Sequence, residues 1–325
     1  MQVLNGLLKQ CLLWGTILLV HHPIDASIAF STASEATLKT NRDSDCGKRT
    51  EHCVGRRTYL DGSVYEGEFR FGKAHGWGKM QWADGSHYEG EFQNDLRHGR
   101  GHQVLANGAE YDGEWRLGLM NGRGNYTFAC GHRYIGDFVD NLMDGHGTIL
   151  MSSGESYEGA WRNNVPDGAG VFTRVDGHRY LGPSKRGKRH GAGILEIQDW
   201  ARLEANWEKD VINGRATLRF TDGFQIIMQW KKGEVADRLT VVSPDGQAQE
   251  TDWTSIHHDF FQIKPHIALA WYLAAVEYTN QDKLAGAQDR LRKAKLLAGD
   301  HNALGQWARS QREAIQQRKT PKDCF

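Results

Sequence analysis

Short segments of alternating apolar and polar residues fill the chain over residues 52–235. In the motif Tyr-Glu-Gly-Glu-Phe that begins at Tyr65, the aromatic and glycine positions fall on one face and the two glutamates on the other. The next segment also alternates, so that both glycines of its Gly-x-Gly motif share a face with Met80. Asp-Gly pairs such as Asp84-Gly85 separate these segments and are a strong short-range signal of a hairpin turn. The pattern predicts β-hairpins whose Asp-Gly turns are of type I′.

This unit recurs every 23 residues without an insertion, and the Gly-x-Gly motif and the turn pair keep the same register. A hairpin alone is marginally stable, so neighbouring hairpins must stabilise one another by stacking, as in other repeat proteins. We therefore expect a mainly β fold, an elongated single-layer antiparallel sheet of tandem 23-residue hairpins, followed by a small α-helical C-terminal region. The eight copies begin at Tyr65, Tyr88, Tyr111, Tyr134, Tyr157, Tyr180, Leu203 and Ile226.

The three motifs in one register resemble the MORN (membrane occupation and recognition nexus) repeat family, and the resemblance covers residues 52–235. Two features depart from the family pattern. Pro183-Ser184 stands where an acid and an aromatic residue are usual, and the first glycine is lost at Ala205 and Met228. The resemblance implies a binding module, and the family name attributes phospholipid binding to it.

Residues 1–29 are predicted to be an export signal. The apolar run over residues 11–20 is too short to span a bilayer, and the small residues Ala26 and Ala29 suit signal cleavage. The alternatives are an N-terminal membrane anchor and a buried cytosolic helix. Residues 30–51 are polar and aperiodic, which predicts a disordered linker.

Beyond the repeats, residues 236–262 are predicted to form a linker with a short hairpin, and residues 263–325 to be helical. Residues 268–301 resemble one tetratricopeptide unit, although Ala274 stands where Leu is usual and Gly299 where Pro is usual. The resemblance implies a helical hairpin, with a further helix as its cap. The matching small and large positions are Trp271, Ala274, Ala275, Tyr278, Ala287, Leu291 and Ala294.

Glycine accounts for 38 of the 325 residues, and most of these glycines recur at fixed positions of the repeat. They therefore mark turns and close strand crossings rather than flexible linkers. Lysine plus arginine and aspartate plus glutamate number 40 each, so the net charge is zero. This balance gives no indication of a nucleic-acid partner.

Four cysteines would remain after removal of the export signal, namely Cys46, Cys53, Cys130 and Cys324. An even number suits an oxidising compartment. The simplest pairing joins Cys46 to Cys53, which would leave Cys130 to pair with Cys324. Four free thiols are the alternative.

The sequence contains none of the common catalytic or phosphate-binding motifs. Its Gly-x-Gly strings recur with the repeat and open no helix, which is typical of turns. His75, His98 and His190 share one repeat position, but that position also accepts Asn and Asp, so a turn residue is favoured over a metal ligand. We therefore expect a protein that is not an enzyme and has no catalytic residue, cofactor or metal site.

Two sets of residues are candidates for binding partners. The first set is the aromatic pair of each repeat, which could line a continuous surface for an extended or helical protein partner. The alternative role of these side chains is to hold neighbouring hairpins together. The set comprises Tyr65, Tyr88, Tyr111, Tyr134, Tyr157, Phe69, Phe92, Trp115, Phe138 and Trp161.

The second set is a basic turn in the sixth copy, where the acid and the aromatic residue of the repeat motif are lost. Lys185, Arg186, Lys188 and Arg189 could bind an anionic headgroup or an acidic partner. The alternative is a solvated turn without a partner.

The face opposite the aromatic residues is charged in most copies. Two acidic columns, which begin at Glu66 and Glu68, predict solvated cross-strand ion pairs, with a cation-binding row as the alternative. Five positions on this face are apolar instead, and we expect the C-terminal helices to cover part of them because bare apolar patches are uncommon. These positions are Ile135, Leu150, Val171, Leu181 and Ile194.

These patterns together indicate a non-catalytic, exported repeat scaffold that mediates protein–protein interaction in the periplasm or outside the cell. The alternative is a membrane-associated module that binds anionic phospholipid headgroups, anchored by the N-terminal segment, although the sequence has no continuous basic stripe. The open ends of the sheet could also support a homodimer.

Overall fold

The computed structural model describes residues 46–48, 51–198 and 200–253, together with residues 266, 268–270, 273 and 292 of the C-terminal region. The predicted export signal, Cys324 and most of the predicted tetratricopeptide-like unit lie outside the described residues.

The described part of the chain is mainly β and forms one open antiparallel sheet of tandem hairpins, as the repeat pattern predicts. The strands are β1 (Cys53–Thr58), β2 (Val64–Arg70), β3 (Lys73–Gln81), β4 (His87–Gln93), β5 (Leu96–Val104), β6 (Glu110–Arg116), β7 (Leu119–Thr127), β8 (Arg133–Val139), β9 (Leu142–Leu150), β10 (Ser156–Arg162), β11 (Val165–Thr173), β12 (Arg179–Lys185), β13 (Lys188–Arg189), β14 (Gly191–Ile197), β15 (Ala201–Glu208), β16 (Val211–Ile212), β17 (Gly214–Phe220), β18 (Gln225–Lys231), β19 (Glu234–Val242) and β20 (Ala248–Asp252).

The chain divides after Val165 into two compact units. In the first unit, each strand from β1 to β9 pairs with the next strand in sequence, up to β10. In the second unit, the pairing runs from β11 through β12, β14, β15, β17, β18 and β19 to β20. The two-residue strands β13 and β16 pair with β12 and β15.

The two-residue turn inside each hairpin has an unusual backbone. Both of its residues adopt positive φ, as in Phe71 (φ 49°) and Gly72 (φ 74°), and again in Asn94 (φ 52°) and Asp95 (φ 70°). Positive φ at both central positions defines a type I′ turn, whose twist matches that of the flanking strands. The repeat therefore places its type I′ turn at these positions rather than at Asp-Gly.

The prediction of type I′ turns at Asp-Gly is wrong. In the loop between β3 and β4, Gly85 has a φ of 91°, whereas Asp84 does not adopt positive φ. The Gly85 N–H donates to the Trp82 carbonyl (3.1 Å), and the Trp82 N–H donates to the Ser86 carbonyl (2.9 Å). This arrangement is a three-residue loop, with a type I turn followed by a left-handed glycine. Asp84 is favoured because its Oδ1 accepts the Ser86 N–H (2.9 Å).

The second residue of the type I′ turn also links neighbouring hairpins. Asp95 Oδ1 accepts the N–H of Ala74, 21 residues earlier, at 2.7 Å. Gly187 lacks this side chain, but the residue 21 positions before it is Pro166, which has no N–H to satisfy. The same bond recurs from Met120 to Asn141, from Met143 to Asn164 and from Arg189 to Asp210.

The sheet extends past residue 235, the end of the array that the period predicts. Strand β19 pairs with β18 on one side and with β20 on the other. The described residues after Trp253 are helical, and Ala268, Leu269, Ala270 and Leu273 are buried. His266 lies edge-on to the Phe220 ring (4.3 Å between centroids), and its Nε2 is 2.6 Å from Asp222 Oδ2.

Candidate functional site

The ten candidate aromatic side chains are buried, with 0–6% of their surface exposed. Four of the five tyrosines lie across the glycines of their own hairpins, namely Tyr65, Tyr88, Tyr111 and Tyr134. The Tyr88 hydroxyl donates to the Glu91 carbonyl (3.0 Å), and a Cβ built on Gly101 would overlap the Tyr88 ring and hydroxyl. The repeat therefore needs glycine at this strand position because the tyrosine ring occupies the space of a side chain.

These rings also hold neighbouring hairpins together. The Tyr88 ring stands edge-on to Phe92 of its own strand (5.1 Å between centroids) and to Trp115 of the next hairpin (5.4 Å). Burial raises the pKa of the Tyr88 and Tyr111 hydroxyls, so both remain neutral donors. This placement corrects the prediction that the ten aromatic residues form a contact surface, because side chains this deeply buried are already covered by packing. The same edge-on contacts continue through Tyr65, Tyr134 and Tyr157 with Phe69, Phe138 and Trp161.

The two acidic columns have different roles. In the first column, Glu89 forms an exposed ion pair with Lys79 at 3.0 Å, as the alternation predicts. In the second column, Glu91 Oε1 accepts the backbone N–H of Arg100 (3.0 Å), next to the left-handed Gly99 (φ 55°). The same cap recurs from Trp77 to Glu68, from Arg123 to Glu114 and from His146 to Asp137. The first column therefore matches the predicted ion pairs, whereas the second satisfies backbone groups that the glycine bulge leaves open. Asp137 of the second column does both, because its Oδ1 also lies 3.4 Å from Arg123 Nε.

This difference predicts unequal effects of two neighbouring substitutions. Glu91→Ala should lower the free energy of unfolding by about 1 kcal/mol, because the Arg100 N–H loses its acceptor. Glu89→Ala removes only an exposed ion pair and should cost about 0.5 kcal/mol or less. Guanidinium denaturation followed by circular dichroism measures both values. Equal effects of the two substitutions would contradict the capping role, whereas Glu91→Gln should retain most of the stability.

The basic turn is divided between surface and interior. Lys185 and Arg186 are exposed, and Lys188 is half-buried. Arg189 is only 5% exposed, and its Nη2 donates to the Asp210 carbonyl (2.7 Å) while its Nε is 3.4 Å from Asp210 Oδ1. The prediction of Arg189 as a headgroup ligand is therefore wrong, because its charge is already paired with Asp210 beneath the surface.

A second arginine that packs against the aromatic core, Arg97, is half-buried and was not among the predicted site residues. It occupies the same repeat position as Ala74 and Arg189, which is the signal that could have placed it in the interior. Its Nη2 donates to the Gly118 carbonyl (2.8 Å), and its guanidinium lies 4.1 Å from the centre of the Trp115 ring. Burial lowers the pKa of Arg97 to about 10, so it remains charged at neutral pH and is stabilised by the ring face and carbonyl.

The apolar positions on the outer face are not all covered. Ile135 is 52% exposed and Leu150 is 50% exposed, so both remain accessible. That the C-terminal helices cover part of the apolar positions stays a prediction, because most of those helices lie outside the described residues. Val171, Leu181 and Ile194 are half-buried. Apolar side chains therefore remain accessible on the face opposite the aromatic core.

The predicted disulfide between Cys46 and Cys53 is confirmed, with the two Cα atoms 5.6 Å apart. Cys130 is also disulfide-bonded, through a partner that lies outside the described residues. Within the described residues, no three histidine, cysteine or acidic side chains lie together as metal ligands would. The helical residues that the structure describes include no segment that is long and apolar enough to cross a bilayer.

The MORN repeat family model matches seven segments of the chain, at residues 65–87, 88–110, 111–133, 134–156, 157–179, 184–202 and 204–224. The family model thus finds seven MORN repeats in the chain. The first five matches begin 23 residues apart, which is the hairpin period seen in the structure. The hairpin of β18 and β19 continues the sheet beyond the last match. MORN repeats are known for interaction with proteins and with membrane lipids.

No curated protein sequence matches the chain. Two solved structures show only weak likeness. A streptogramin B lyase is 11% identical, over 55% of this chain and 69% of that one, with a TM-score of 0.13. A catalytically inactive virginiamycin B lyase from Staphylococcus aureus, in complex with quinupristin, is 13% identical, over 61% and 68% of the two chains, with a TM-score of 0.14. These likenesses carry no argument about fold or function.

Proposed function

We propose that this MORN repeat protein is a non-catalytic, exported scaffold that binds a protein partner through the outer face of its sheet. The observation that carries the proposal is the division of the repeat between its two faces. The aromatic residues are used in internal packing, whereas accessible apolar side chains such as Ile135 and Leu150 lie on the opposite face. Accessible apolar groups among charged ones are typical of protein-binding surfaces.

Export is supported by the disulfide between Cys46 and Cys53. Disulfides persist in oxidising compartments such as the periplasm and the extracellular space, and are rare in the cytosol. Arg57 accompanies the bridge, with its Nη1 donating to the Gly72 carbonyl (2.8 Å) and its Nη2 lying 3.5 Å from the Cys46 carbonyl. The bridge is therefore integrated with the first hairpin rather than placed on a free tail.

The second candidate function is binding of anionic phospholipid headgroups. It is favoured by the exposure of Lys185 and Arg186 in one turn. Cationic clusters attract anionic membrane surfaces with about 1 kcal/mol for each residue near the surface. Three cations in one turn can support only weak membrane binding unless apolar contacts add to them.

One experiment on the full chain, expressed in its native host, tests these proposals together. Intact-mass analysis should show a mature protein that begins at residue 30 or 27 and whose Cys46 and Cys53 resist alkylation until they are reduced. An affinity pull-down from the same compartment is run beside sedimentation with phosphatidylserine vesicles. A retained N-terminus with freely alkylated thiols would contradict export. Sedimentation with vesicles without a captured protein would favour the lipid-binding function over the scaffold.

A further inference from the structure

An apolar strip crosses three strands of the second unit on the outer face. In β11 and β12, Ala169 lies opposite Pro183 and Val171 lies opposite Leu181. On the other side of β12, Leu181 lies opposite Ile194 of β14. We define the outer strip as Ala169, Val171, Leu181, Pro183, Ala192 and Ile194; the two alanines are exposed and the other four side chains are half-buried.

The outer strip replaces charge pairs that other repeats carry at the same positions. Lys79 and Glu89 form a 3.0 Å ion pair in an earlier hairpin, and the equivalent residues in the strip are Val171 and Leu181. Half-buried aliphatic side chains on a solvated face gain little from folding alone. They gain more when a partner removes the rest of their surface from water. Binding of a partner would therefore explain why apolar residues replace the charged pair at these positions.

One end of the outer strip is strongly cationic. Lys185 and Lys188 lie directly opposite each other across the turn, an arrangement in which like charges repel. Arg186 sits at the tip with a φ of 52°, and its backbone N–H donates to Asp167 Oδ2 (3.2 Å). Among the described residues, no carboxylate forms an ion pair with the side chains of these three cations.

Two further borders of the outer strip carry paired charges. At the end away from the turn, Arg179 Nη1 lies 3.3 Å from Glu196 Oε2. Beside Ile194, Glu204 is held by Arg219 (3.1 Å) and Arg202 (3.3 Å), which leaves that cluster with one excess positive charge. The strip is therefore apolar along its length, cationic at the turn and without an unpaired acid at these borders.

We infer that the outer strip docks an acidic amphipathic helix of a protein partner, with its apolar side against the strip and its carboxylates against the basic turn. Three strands span about 10 Å, which matches the diameter of one helix. A second copy of this chain would present the same patch, which has no unpaired acid at the described borders to complement the basic turn, and this opposes self-association through the strip. A lipid surface is disfavoured because the strip offers no protruding aromatic residue for insertion. The inference rests on the proposed scaffold function and names the surface that serves it.

The test uses the full chain and two fluorescein-labelled helical peptides of about four turns. Both peptides carry leucines at positions i, i+3, i+4 and i+7, and they differ only in having glutamate or lysine at the flanking positions. Fluorescence anisotropy should show the glutamate peptide binding at least about tenfold more tightly than the lysine peptide, a difference of about 1.4 kcal/mol. No binding of the glutamate peptide, or equal binding of both peptides, would overturn the inference.

Two variants locate the contact. The first variant combines Val171→Thr, Leu181→Thr and Ile194→Thr. Threonine is β-branched and favours strands, so the sheet should be retained, whereas peptide binding should weaken at least about tenfold. Leu60→Thr removes an exposed apolar residue (64% exposed) from the loop between β1 and β2, outside the strip, and should leave binding unchanged. The triple variant must retain the wild-type circular dichroism spectrum and denaturation midpoint, and wild-type affinity in this folded variant would refute the site.

A charge variant tests the role of the basic turn, and sedimentation with vesicles distinguishes a peptide-binding strip from a membrane-binding one. Lys185→Gln, Arg186→Gln and Lys188→Gln together should weaken the glutamate peptide several-fold and reduce the salt dependence of its binding. If the triple threonine variant instead loses sedimentation with phosphatidylserine vesicles while neither peptide binds, the strip is a membrane surface and the inference is wrong. A partner still captured by the triple threonine variant in the pull-down would retain the scaffold function and remove the strip from it.

Discussion

Replacing Gly101 by alanine is expected to lower the free energy of unfolding by about 3 kcal/mol. The Cβ would overlap the hydroxyl and ring of Tyr88, and the ring cannot withdraw because Phe92 and Trp115 pack against it at 5.1 and 5.4 Å. The strand would have to shift or the tyrosine would have to leave the core. The denaturation midpoint, followed by tryptophan fluorescence and by circular dichroism, measures the loss.

Gly108 supplies the matched control for this substitution. A Cβ at Gly108 would meet no atom within 4 Å, so only its backbone conformation (φ 85°) resists alanine. Gly108→Ala should therefore cost about 1 kcal/mol, and Gly108→Asn should cost less because Asn tolerates this conformation. If Gly101→Ala proved no worse than Gly108→Ala, the tyrosine would not be locked against the strand glycines as described.

The second large effect is expected for Trp161→Ala, at about 4 kcal/mol. Trp161 is 3% exposed, its Nε1 donates to the Gly147 carbonyl (2.9 Å), and its ring contacts Tyr134 and Tyr157, each with centroids 5.3 Å away. The truncation removes two ring contacts and a buried hydrogen bond, and it leaves a cavity between two hairpins.

Trp77 is the matched control because it is the same residue type on the outer face, 50% exposed. Trp77→Ala should cost less than about 1 kcal/mol, since most of this side chain is already in water. A large loss for Trp77→Ala together with a small loss for Trp161→Ala would reverse the assignment of core and surface. The two variants also allow the emission of the buried tryptophan to be distinguished from that of the exposed one.

The fold could be predicted from the sequence because its signals are local and repeated. The alternation in Tyr65 to Phe69 assigns the faces, and the 23-residue period counts the hairpins. The type I′ turns could not be predicted in the same way. Phe71 and Lys232 adopt φ values of 49° and 50° although neither residue type favours positive φ, because the pairing of the flanking strands imposes the turn.

The candidate site was predicted less completely, for a physical reason. Composition suggests that Arg189 belongs at the surface with Lys185, but its charge is satisfied by Asp210, which lies 21 residues later and approaches only through the sheet. Arg97 is similarly held by the Gly118 carbonyl and the Trp115 ring. Long-range partners of this kind can be inferred only by comparing equivalent repeat positions. Both arginines occupy the repeat position that is Met120 in another copy.

Residues on the two faces of the repeat have different roles, although the sequence alone does not distinguish their importance. The tyrosine columns recur because each ring fills the space over a glycine pair, so their regularity reflects folding. The irregular positions, such as Leu181 and Pro183, place apolar side chains where most other copies carry a carboxylate. In a repeat protein, departures of this kind on an accessible face are therefore better indicators of a binding surface than the repeated residues themselves.

Hydroxyl-radical footprinting of the free, full-length protein, read by mass spectrometry, tests the central claim most directly. It measures the accessibility of inner and outer aromatic side chains in one sample. We predict fast oxidation of Phe71 and Trp77, which are 51% and 50% exposed, and strong protection of Tyr88, Trp115 and Trp161. Oxidation of Tyr88 and Trp161 as fast as that of Trp77 would show that the aromatic columns are an open surface and would contradict the account.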